Sequence, residues 1–134
     1  MTTEDNQVHQ ENNDAFSYLY PYEFVVLTTF RKDGREVPTT VWFAHRQGKL
    51  YITTTMTAGK IKRIRNNGRV FIAPSDRVGN LLGERIEGRA YEVPPQEHDA
   101  ARQLLADKYP SFTAMISAPG LHNVERTYIE VCPI

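Results

Sequence analysis

The sequence predicts a small, mostly antiparallel β-barrel with flanking helices, and three observations point to that fold class. Residues 24–55 are rich in β-branched and aromatic side chains. This stretch is interrupted at "KDG" and at "RQG", where glycine supplies the positive φ that a tight hairpin turn requires. Two short helical patterns then separate further strand-like segments. Short links of this kind favour neighbouring strands that pair and close into a barrel.

Six strands are predicted along the chain. The first three are bounded by the two hairpin signals, and "RVFIAPSD" supplies the fourth. The fifth, "RIEGRAYEV", alternates with period two until two prolines end it, and "RTYIEVC" supplies the last. The predicted strands lie at 24–31, 36–44, 49–55, 69–76, 85–93 and 126–132.

Two helices are predicted between these strands. The first covers 59–66, because Ile61 and Ile64 are three residues apart and therefore lie on one face, and "NNG" follows. The second begins at Pro95, a residue favoured in the first turn of a helix, and ends before Pro110. Its buried stripe is formed by Ala101, Leu104 and Leu105.

Length and charge limit the classes of function. A chain of 134 residues forms one ordinary domain with a single core. Lys and Arg together number 16, as do Asp and Glu, so the formal net charge is zero. No overall field attracts the protein to nucleic acid or to an anionic membrane, so neither is expected as a partner. Any cationic site must be local.

The chain is expected to begin with a disordered tail at residues 1–15, followed by one domain at 16–134. The tail carries few apolar side chains and cannot bury enough surface to offset the loss of chain entropy. Cys132 is the only cysteine, so no intrachain disulfide forms. No apolar run approaches the roughly 20 residues of a membrane helix. These features predict a soluble, cytoplasmic protein.

The segment "TTTMTAGKIKRIRNN" predicts an anion site. It places threonine hydroxyls at the end of a strand, immediately before the unpaired amides and positive dipole of a helix N-terminus. Gly59 permits close approach, Lys60 adds a charge in the first turn, and Arg63 follows on the same face. Lys62 and Arg65 point elsewhere by the same geometry. The alternative is that all four cations are surface charge, and spacing alone does not decide between the two.

The middle of the second strand is a second candidate surface. Alternation places Thr39 and Val41 on one face and Thr40 and Trp42 on the other. This surface is either ordinary sheet or a flat wall with backbone groups that could hold a ring system.

Other chemistries have little support in the sequence. His9, His45, His98 and His122 are scattered without metal-ligand spacing, so no metal site is expected. There is no Gly-x-Ser-x-Gly motif and no recognisable Cys-His pair. No side chain is therefore assigned as a catalytic acid, base or nucleophile.

The run "LTTFRKDGREVPTTVWFAHRQGKLYITTTMTAGKIKRIRNNGRVFIAPSDRVGN", followed by "IEGRA", resembles the pyridoxamine 5′-phosphate oxidase-like proteins. Within them it is most similar to the branch of coenzyme F420-dependent oxidoreductases. The similarity covers about residues 24–93. It implies a split β-barrel homodimer with two cofactor sites at the subunit interface, and FMN or coenzyme F420 as the cofactor.

The resemblance also implies roles for residues. Thr39, Thr40, Val41 and Trp42 match positions along the flavin or deazaflavin ring, while Thr54, Thr55 and Lys60 match positions that bind its phosphate. Arg85 stands where tryptophan is common, which implies an altered substrate wall or an added cation for the acidic tail of the deazaflavin. With Gly59 and Arg63 from the spacing argument, the predicted cofactor-binding residues are Thr39, Thr40, Val41, Trp42, Thr54, Thr55, Gly59, Lys60, Arg63 and Arg85.

The resemblance implies an oxidoreductase that transfers a hydride to or from a small organic substrate. The chain ends "TYIEVCPI" and lacks the C-terminal substrate motif of pyridoxamine phosphate oxidases proper, so vitamin B6 oxidation is not expected. A non-catalytic split barrel that binds FMN or heme is the alternative. Tyr51, His45 and Arg85 are considered as proton donors or substrate-orienting groups, without assignment.

Overall fold

A computed structural model describes residues 15–117 and 125–134 of the chain. In these stretches the chain forms seven strands and three α-helices. The strands are β1 (Phe24–Phe30), β2 (Glu36–Trp42), β3 (Ala44–Arg46), β4 (Lys49–Thr55), β5 (Arg69–Ser75), β6 (Ile86–Glu92) and β7 (Arg126–Pro133). The helices are α1 (Gly59–Asn66), α2 (His98–Lys108) and α3 (Phe112–Ile116). The predicted tail, apart from Ala15, lies outside the described residues.

All seven strands belong to one antiparallel sheet in the order β2-β1-β5-β6-β7-β4-β3. The strands at its two ends, β2 and β3, are separated in the chain by Phe43 alone. Residues 36–46 therefore run as one bent ribbon from one edge of the sheet to the other, and the sheet curls so that its edges meet. This confirms the predicted β-barrel with flanking helices.

The strand count differs from the prediction at one place. The predicted second strand at 36–44 is interrupted at Phe43, and its end pairs with β4 instead of β1. The hydroxyl of Tyr109 completes the hydrogen bonding of this break. It accepts a bond from the Phe43 N–H at 3.0 Å and lies 2.7 Å from the carbonyl oxygens of Phe43 and Glu23. The bent ribbon is thus one strand of a six-strand barrel, held at its bend by a helix-end tyrosine.

Alternation along the strands creates two apolar regions. In β4, Leu50 and Ile52 point into the barrel, whereas Tyr51 between them points out towards α2 and α3. The barrel interior also holds Ile61 and Ile64 of α1. The outer region, between the sheet and the two C-terminal helices, contains Ala44, Tyr51, Val93, Ala101, Leu105, Tyr109, Phe112 and Tyr128.

Turns and helices follow the predicted signals closely. Gly34 and Gly48 have φ of 90° and 78°, as the two hairpin turns require. Ile61 and Ile64 are buried, as the spacing predicts. The second helix begins later than predicted, at His98, because the residues from Pro95 form a 3₁₀ turn first. Ala101 and Leu105 are buried and Leu104 is half-buried.

Among the described residues, no helix is long and apolar enough to cross a membrane.

Candidate functional site

Two cations at the start of α1 are anchored by buried threonines of two different strands. The Lys60 ammonium donates to Thr54 Oγ1 of β4 at 3.2 Å. The Arg63 guanidinium donates through Nε to Thr29 Oγ1 of β1 at 2.6 Å. Thr54 and Thr29 are only 4% and 1% exposed, so each hydroxyl fixes a cation at the end of the barrel.

Arg126, at the beginning of β7, adds a third cation to this end of the barrel. Its Nε donates to Thr53 Oγ1 at 3.2 Å. Burial, with the charges of Arg63 and Arg126, lowers the pKa of Lys60. Lys60, Arg63 and Arg126 are called the cationic cluster below.

The cationic cluster has no negative partner in the part of the chain that the structure describes. Within residues 15–117 and 125–134, none of its three members forms an ion pair with a carboxylate. Arg65, on the other side of α1, is compensated by a bidentate contact with Glu92, at 2.9 and 3.0 Å. This agrees with the spacing argument that Arg65 points away. A cluster of uncompensated cations attracts an anion.

The first turn of α1 contributes further donors. Its N-cap residue, Ala58, makes no side-chain cap, and the turn contains no acidic residue. The dipole end of the helix is therefore uncompensated as well. A Cβ at Gly59 would lie 2.7 Å from Arg63 Nη1, so glycine lets the guanidinium fold back over the helix start.

The free edge of β2 approaches this end of the barrel. In the described part of the chain β2 pairs only with β1, so its other edge has no ladder partner. Thr29, which accepts from Arg63, also directs its hydroxyl towards the Val37 carbonyl of β2 at 3.5 Å. Val37 is two residues from Thr39, or roughly 7 Å along a strand. The cationic cluster therefore lies within a few residues of the predicted ring wall.

A cavity of about 460 Å³ opens on the outer face of β2, β1 and β5. Thr39 and Thr40, whose side chains alternate in direction, both line it, so the cavity reaches the backbone of β2. Its apolar lining comes from Val26, Pro38, Phe71, Ala73, Val78 and Leu81.

One wall of the cavity is the loop that follows β5, and Asp76 holds that loop in shape. Asp76 Oδ1 accepts from the Val78 and Asn80 amides at 3.0 and 2.9 Å. Gly79 has φ of +93°, and a Cβ there would lie 2.8 Å from Thr40 Oγ1. The loop backbone therefore packs directly on β2, which only glycine permits at this place.

Arg85 borders the same cavity and is already paired. Its Nη1 lies 3.0 Å from Glu36 Oε1, and its guanidinium carbon lies 3.9 Å from the centre of the Phe71 ring. Arg85 thus belongs to the cavity and not to the cationic cluster.

The structure divides the predicted site residues into three groups. Thr54, Gly59, Lys60 and Arg63 gather at the cationic end, where the Thr55 carbonyl also accepts from the Ala58 amide at 3.1 Å. The cavity gathers Thr39, Thr40 and Arg85. Two predicted residues touch neither place: Val41 packs against the barrel core, and Trp42 stacks on Tyr109 at 4.4 Å.

The residues considered for proton transfer lie elsewhere. Tyr51 donates to Glu130 Oε1 at 2.9 Å, and burial followed by this contact raises its pKa to about 12. His45 stacks on Tyr20 with ring centres 3.6 Å apart. His9 and His122 lie outside the described residues, and within the described ranges no three His, Cys, Asp or Glu side chains are grouped as metal ligands.

Several site residues were not predicted from the sequence. Thr29 and Arg126 reach the cationic end only through strand pairing, which no local pattern reveals. The Glu36–Arg85 pair joins residues 49 positions apart. Only Asp76 has a local signal, because an aspartate that precedes "RVGN" is typical of a side-chain-stabilised loop.

No protein-family model matches the sequence, and neither does any curated protein. Solved structures do match over most of the chain. A protein from Listeria innocua, provisionally named as a pyridoxamine 5′-phosphate oxidase, superposes with a TM-score of 0.63 at 16% identity, covering 91% of this chain and 92% of that one. The fold is that of the pyridoxamine 5′-phosphate oxidase-like split barrels.

Other split barrels with similar structures have differing descriptions. An FAD-binding protein from Mesorhizobium loti gives a TM-score of 0.63 at 20% identity, with 90% of this chain and 85% of that one covered. HutZ, the heme storage protein from Vibrio cholerae, gives a TM-score of 0.64 at 12% identity, with 98% of this chain and 89% of that one covered. At these identities the comparisons establish the fold, and function must be argued from the site.

Proposed function

We propose that this split barrel is a flavin- or deazaflavin-dependent oxidoreductase that uses FMN or coenzyme F420. One observation carries the proposal: three cations and an uncapped helix start converge, without carboxylate partners among the described residues, beside the free edge of β2. Structures that share the fold include a protein described as FAD-binding, which supports a flavin-type ligand.

The cationic cluster suits the phosphate of such a cofactor. Lys60 and Arg63 would donate charge-assisted hydrogen bonds to its oxygens, and the first-turn amides of α1 would donate others. The threonine hydroxyls that now hold these cations keep them in position before the ligand arrives. Because no carboxylate of the described residues pairs with the cluster, a phosphate would not have to displace one of them.

The edge of β2 suits the ring. The backbone groups of Thr39 to Trp42 on the unpaired edge can bond the polar rim of a flavin or deazaflavin. When bound, the cofactor supplies the hydride chemistry, and the protein orients the ring and leaves one of its faces open to a substrate. No side chain of this chain is needed as an acid or base.

The proposal includes a homodimer. Three aliphatic side chains on the loop after β5 are exposed: Val78 by 77%, Leu81 by 60% and Leu82 by 51%. They are called the apolar rim. Such a patch beside a ligand cavity is typical of a subunit interface. A second copy over the apolar rim would close the cavity from outside and exclude water from the space beside the ring.

A split barrel that binds its ligand without turnover is the second candidate. It is favoured by the heme storage protein among the similar structures and by the absence of any assigned acid or base near the cationic cluster. Oxidation of reduced FMN or reduced F420 with a panel of quinones and nitro compounds separates the two. Catalytic turnover supports the oxidoreductase, whereas tight binding without turnover supports the non-catalytic split barrel.

Lys60→Ala tests the phosphate site. Loss of a charge-assisted bond worth roughly 1.5–3 kcal/mol should weaken FMN binding about ten- to a hundredfold by calorimetry. Riboflavin, which has no phosphate, should bind the variant and the parent protein alike. Lys62→Ala, which removes an exposed lysine from the same helix, is the matched control and should leave both affinities unchanged. Equal losses for FMN and riboflavin in Lys60→Ala would contradict the phosphate assignment.

A further inference from the structure

We infer that the 460 Å³ cavity beside β2 binds a flat, uncharged ring compound that carries a carbonyl or nitro group, and that the Glu36–Arg85 pair makes it reject charged analogues. The role of this compound as hydride donor or acceptor rests on the proposed function, whereas its binding does not.

The lining of the cavity indicates a flat apolar ligand. Two strands supply its floor through Val26 and Ala73, which are nearly buried, and Phe71. Pro38 and Leu81 close the sides. Contact with such surfaces favours an aromatic ring, because removal of apolar area from water stabilises the complex by about 25 cal/mol per Å².

The charge within the cavity is balanced internally. Among the described residues that line it, only Glu36 and Arg85 are charged, and they lie 3.0 Å apart. The Arg85 guanidinium is also held over the Phe71 ring. A carboxylate ligand would have to displace Glu36 from Arg85, and a cation would have to displace Arg85 from Glu36. Either exchange replaces one ion pair with another while desolvating the ligand, so neither charge is favoured.

Two hydroxyls provide the polar recognition. The side chains of Thr28 and Thr40 line the cavity, and within the described ranges neither makes a hydrogen bond. A hydroxyl both donates and accepts, so each can bond a carbonyl or nitro oxygen of a neutral ligand. Thr40 lies in β2, the strand along which the cofactor ring is proposed, so the bound compound would lie beside that ring.

The test compares two probes that differ in charge but share a ring: 2-acetylnaphthalene, which is neutral, and 2-naphthoate, which is an anion. Binding is measured by calorimetry on the full chain without cofactor, so the result does not depend on the proposed redox activity. The neutral ketone should bind at least about tenfold more tightly than the carboxylate. The inference is overturned if naphthoate binds as tightly as the ketone, or if neither probe binds at millimolar concentration.

Variants of the ion pair identify its role. Glu36→Gln leaves Arg85 uncompensated, so naphthoate affinity should rise about tenfold while ketone affinity stays constant. Glu36→Gln combined with Arg85→Gln restores a neutral lining and should restore the preference for the ketone. Both side chains are about half exposed, so the folds should be intact, which circular dichroism checks. Unchanged probe selectivity in all variants would exclude the pair as the cause.

Competition with FMN distinguishes this cavity from the cofactor site. The ketone should still bind when FMN is saturating, because the phosphate and ring are assigned to the cationic cluster and the strand edge. If FMN displaces the ketone competitively, the cavity holds the cofactor ring itself, and the inference fails. If neither FMN nor coenzyme F420 binds but the ketone does, the proposed function fails and the cavity assignment stands.

Discussion

Lys108, at the C-terminal end of α2, shows how burial changes the behaviour of a single side chain. Its ammonium donates to the Tyr22 carbonyl at 3.0 Å and lies 3.4 Å from the centre of the Phe43 ring. Burial lowers its pKa from 10.5 to about 8, although the negative charge of Glu23 acts in the opposite direction. Among the described carboxylates none forms an ion pair with Lys108.

The lowered pKa makes stability depend on pH in a defined direction. Below pH 8, Lys108 is charged in the folded and the unfolded protein, and the cost of burying the charge is present in full. Between pH 8 and 10.5 the folded protein loses this proton while the unfolded chain retains it. The unfolded state then binds more protons, so the free energy of unfolding rises with pH in this window.

Lys108→Met should abolish this contribution. From pH 7.5 to 9.5, the unfolding free energy of the parent should rise by about 1 kcal/mol more than that of the variant. This value allows for the partial exposure of the side chain. Urea unfolding at several pH values measures it. Lys62→Met, on an exposed site, is the control. Parallel pH profiles for the parent and Lys108→Met would contradict the explanation.

Single-residue features differ in how well the sequence predicts them. Spacing was sufficient to place Lys60 and Arg63 near each other and Arg65 apart, because three residues return a helix to nearly the same face. Thr54 was also placed beside Lys60, because it ends the strand before the helix. Thr29 was not, because it lies in β1, 34 positions from Arg63. The stacking of Trp42 on Tyr109 was not predicted, because the position of Tyr109 depends on α2.

Among the secondary-structure elements, the bend between β2 and β3 is the feature that the sequence did not predict. Residues 36–46 contain no glycine, and the only proline, Pro38, lies five residues before the bend. No turn signal therefore marks Phe43, and a continuous strand is the natural prediction. The bend arises because β1 pairs with one half and β4 with the other, while the Tyr109 hydroxyl bonds the peptide groups left between them.

Tyr109→Phe should destabilise the protein more than the removal of an exposed tyrosine hydroxyl does. It leaves the buried Phe43 amide and a carbonyl without their partner, at a cost of about 3 kcal/mol. Chemical denaturation measures the change. Tyr91→Phe, which removes a hydroxyl from a ring that is 50% exposed, should cost less than about 0.5 kcal/mol. Similar values for the two variants would show that the hydroxyl does not hold the bend.

Short helices are the other elements that the sequence did not predict. α3 has five residues, which is too few for a periodic pattern to be recognised. It forms because Phe112 is buried between the sheet and α2, so tertiary contact and not local propensity stabilises it. α1 and α2 were predicted because each combines apolar residues on one face with a residue that marks a helix end, Gly68 for α1 and Pro95 for α2.

At the scale of the whole molecule, assembly is the property that the proposed site depends on most. The apolar rim should be covered in solution by a second copy. Leu81→Glu would bury a charge in that contact, so it should convert a dimer into a monomer at micromolar concentration. Analytical ultracentrifugation of both proteins measures the mass. Thr113→Glu, on the exposed surface of α3, should remain dimeric.

A monomeric parent protein would contradict the dimer directly. A dimer that survives Leu81→Glu unchanged would show that the two copies meet through another surface. In either case the cationic cluster could still bind a phosphate, because all of its members belong to one chain.

The overall architecture was predictable because hairpin signals and alternation act locally, and they fix which strands exist and how neighbours pair. A barrel was predicted, but the strand order that closes it was not, since pairs such as β1–β5 and β4–β7 join residues far apart in the chain. The same limit applies to the cavity, whose walls come from β1, β2, β5 and a loop.

The bent ribbon has a mechanical consequence. Residues 36–46 form both edge strands of the sheet, and the Tyr109 hydroxyl bonds the peptide groups of Phe43 between them. A ligand that displaces β2 should therefore also displace β3 and the C-terminal helices. Ligand binding at the β2 edge would then be transmitted to the β3 edge through the peptide groups of Phe43.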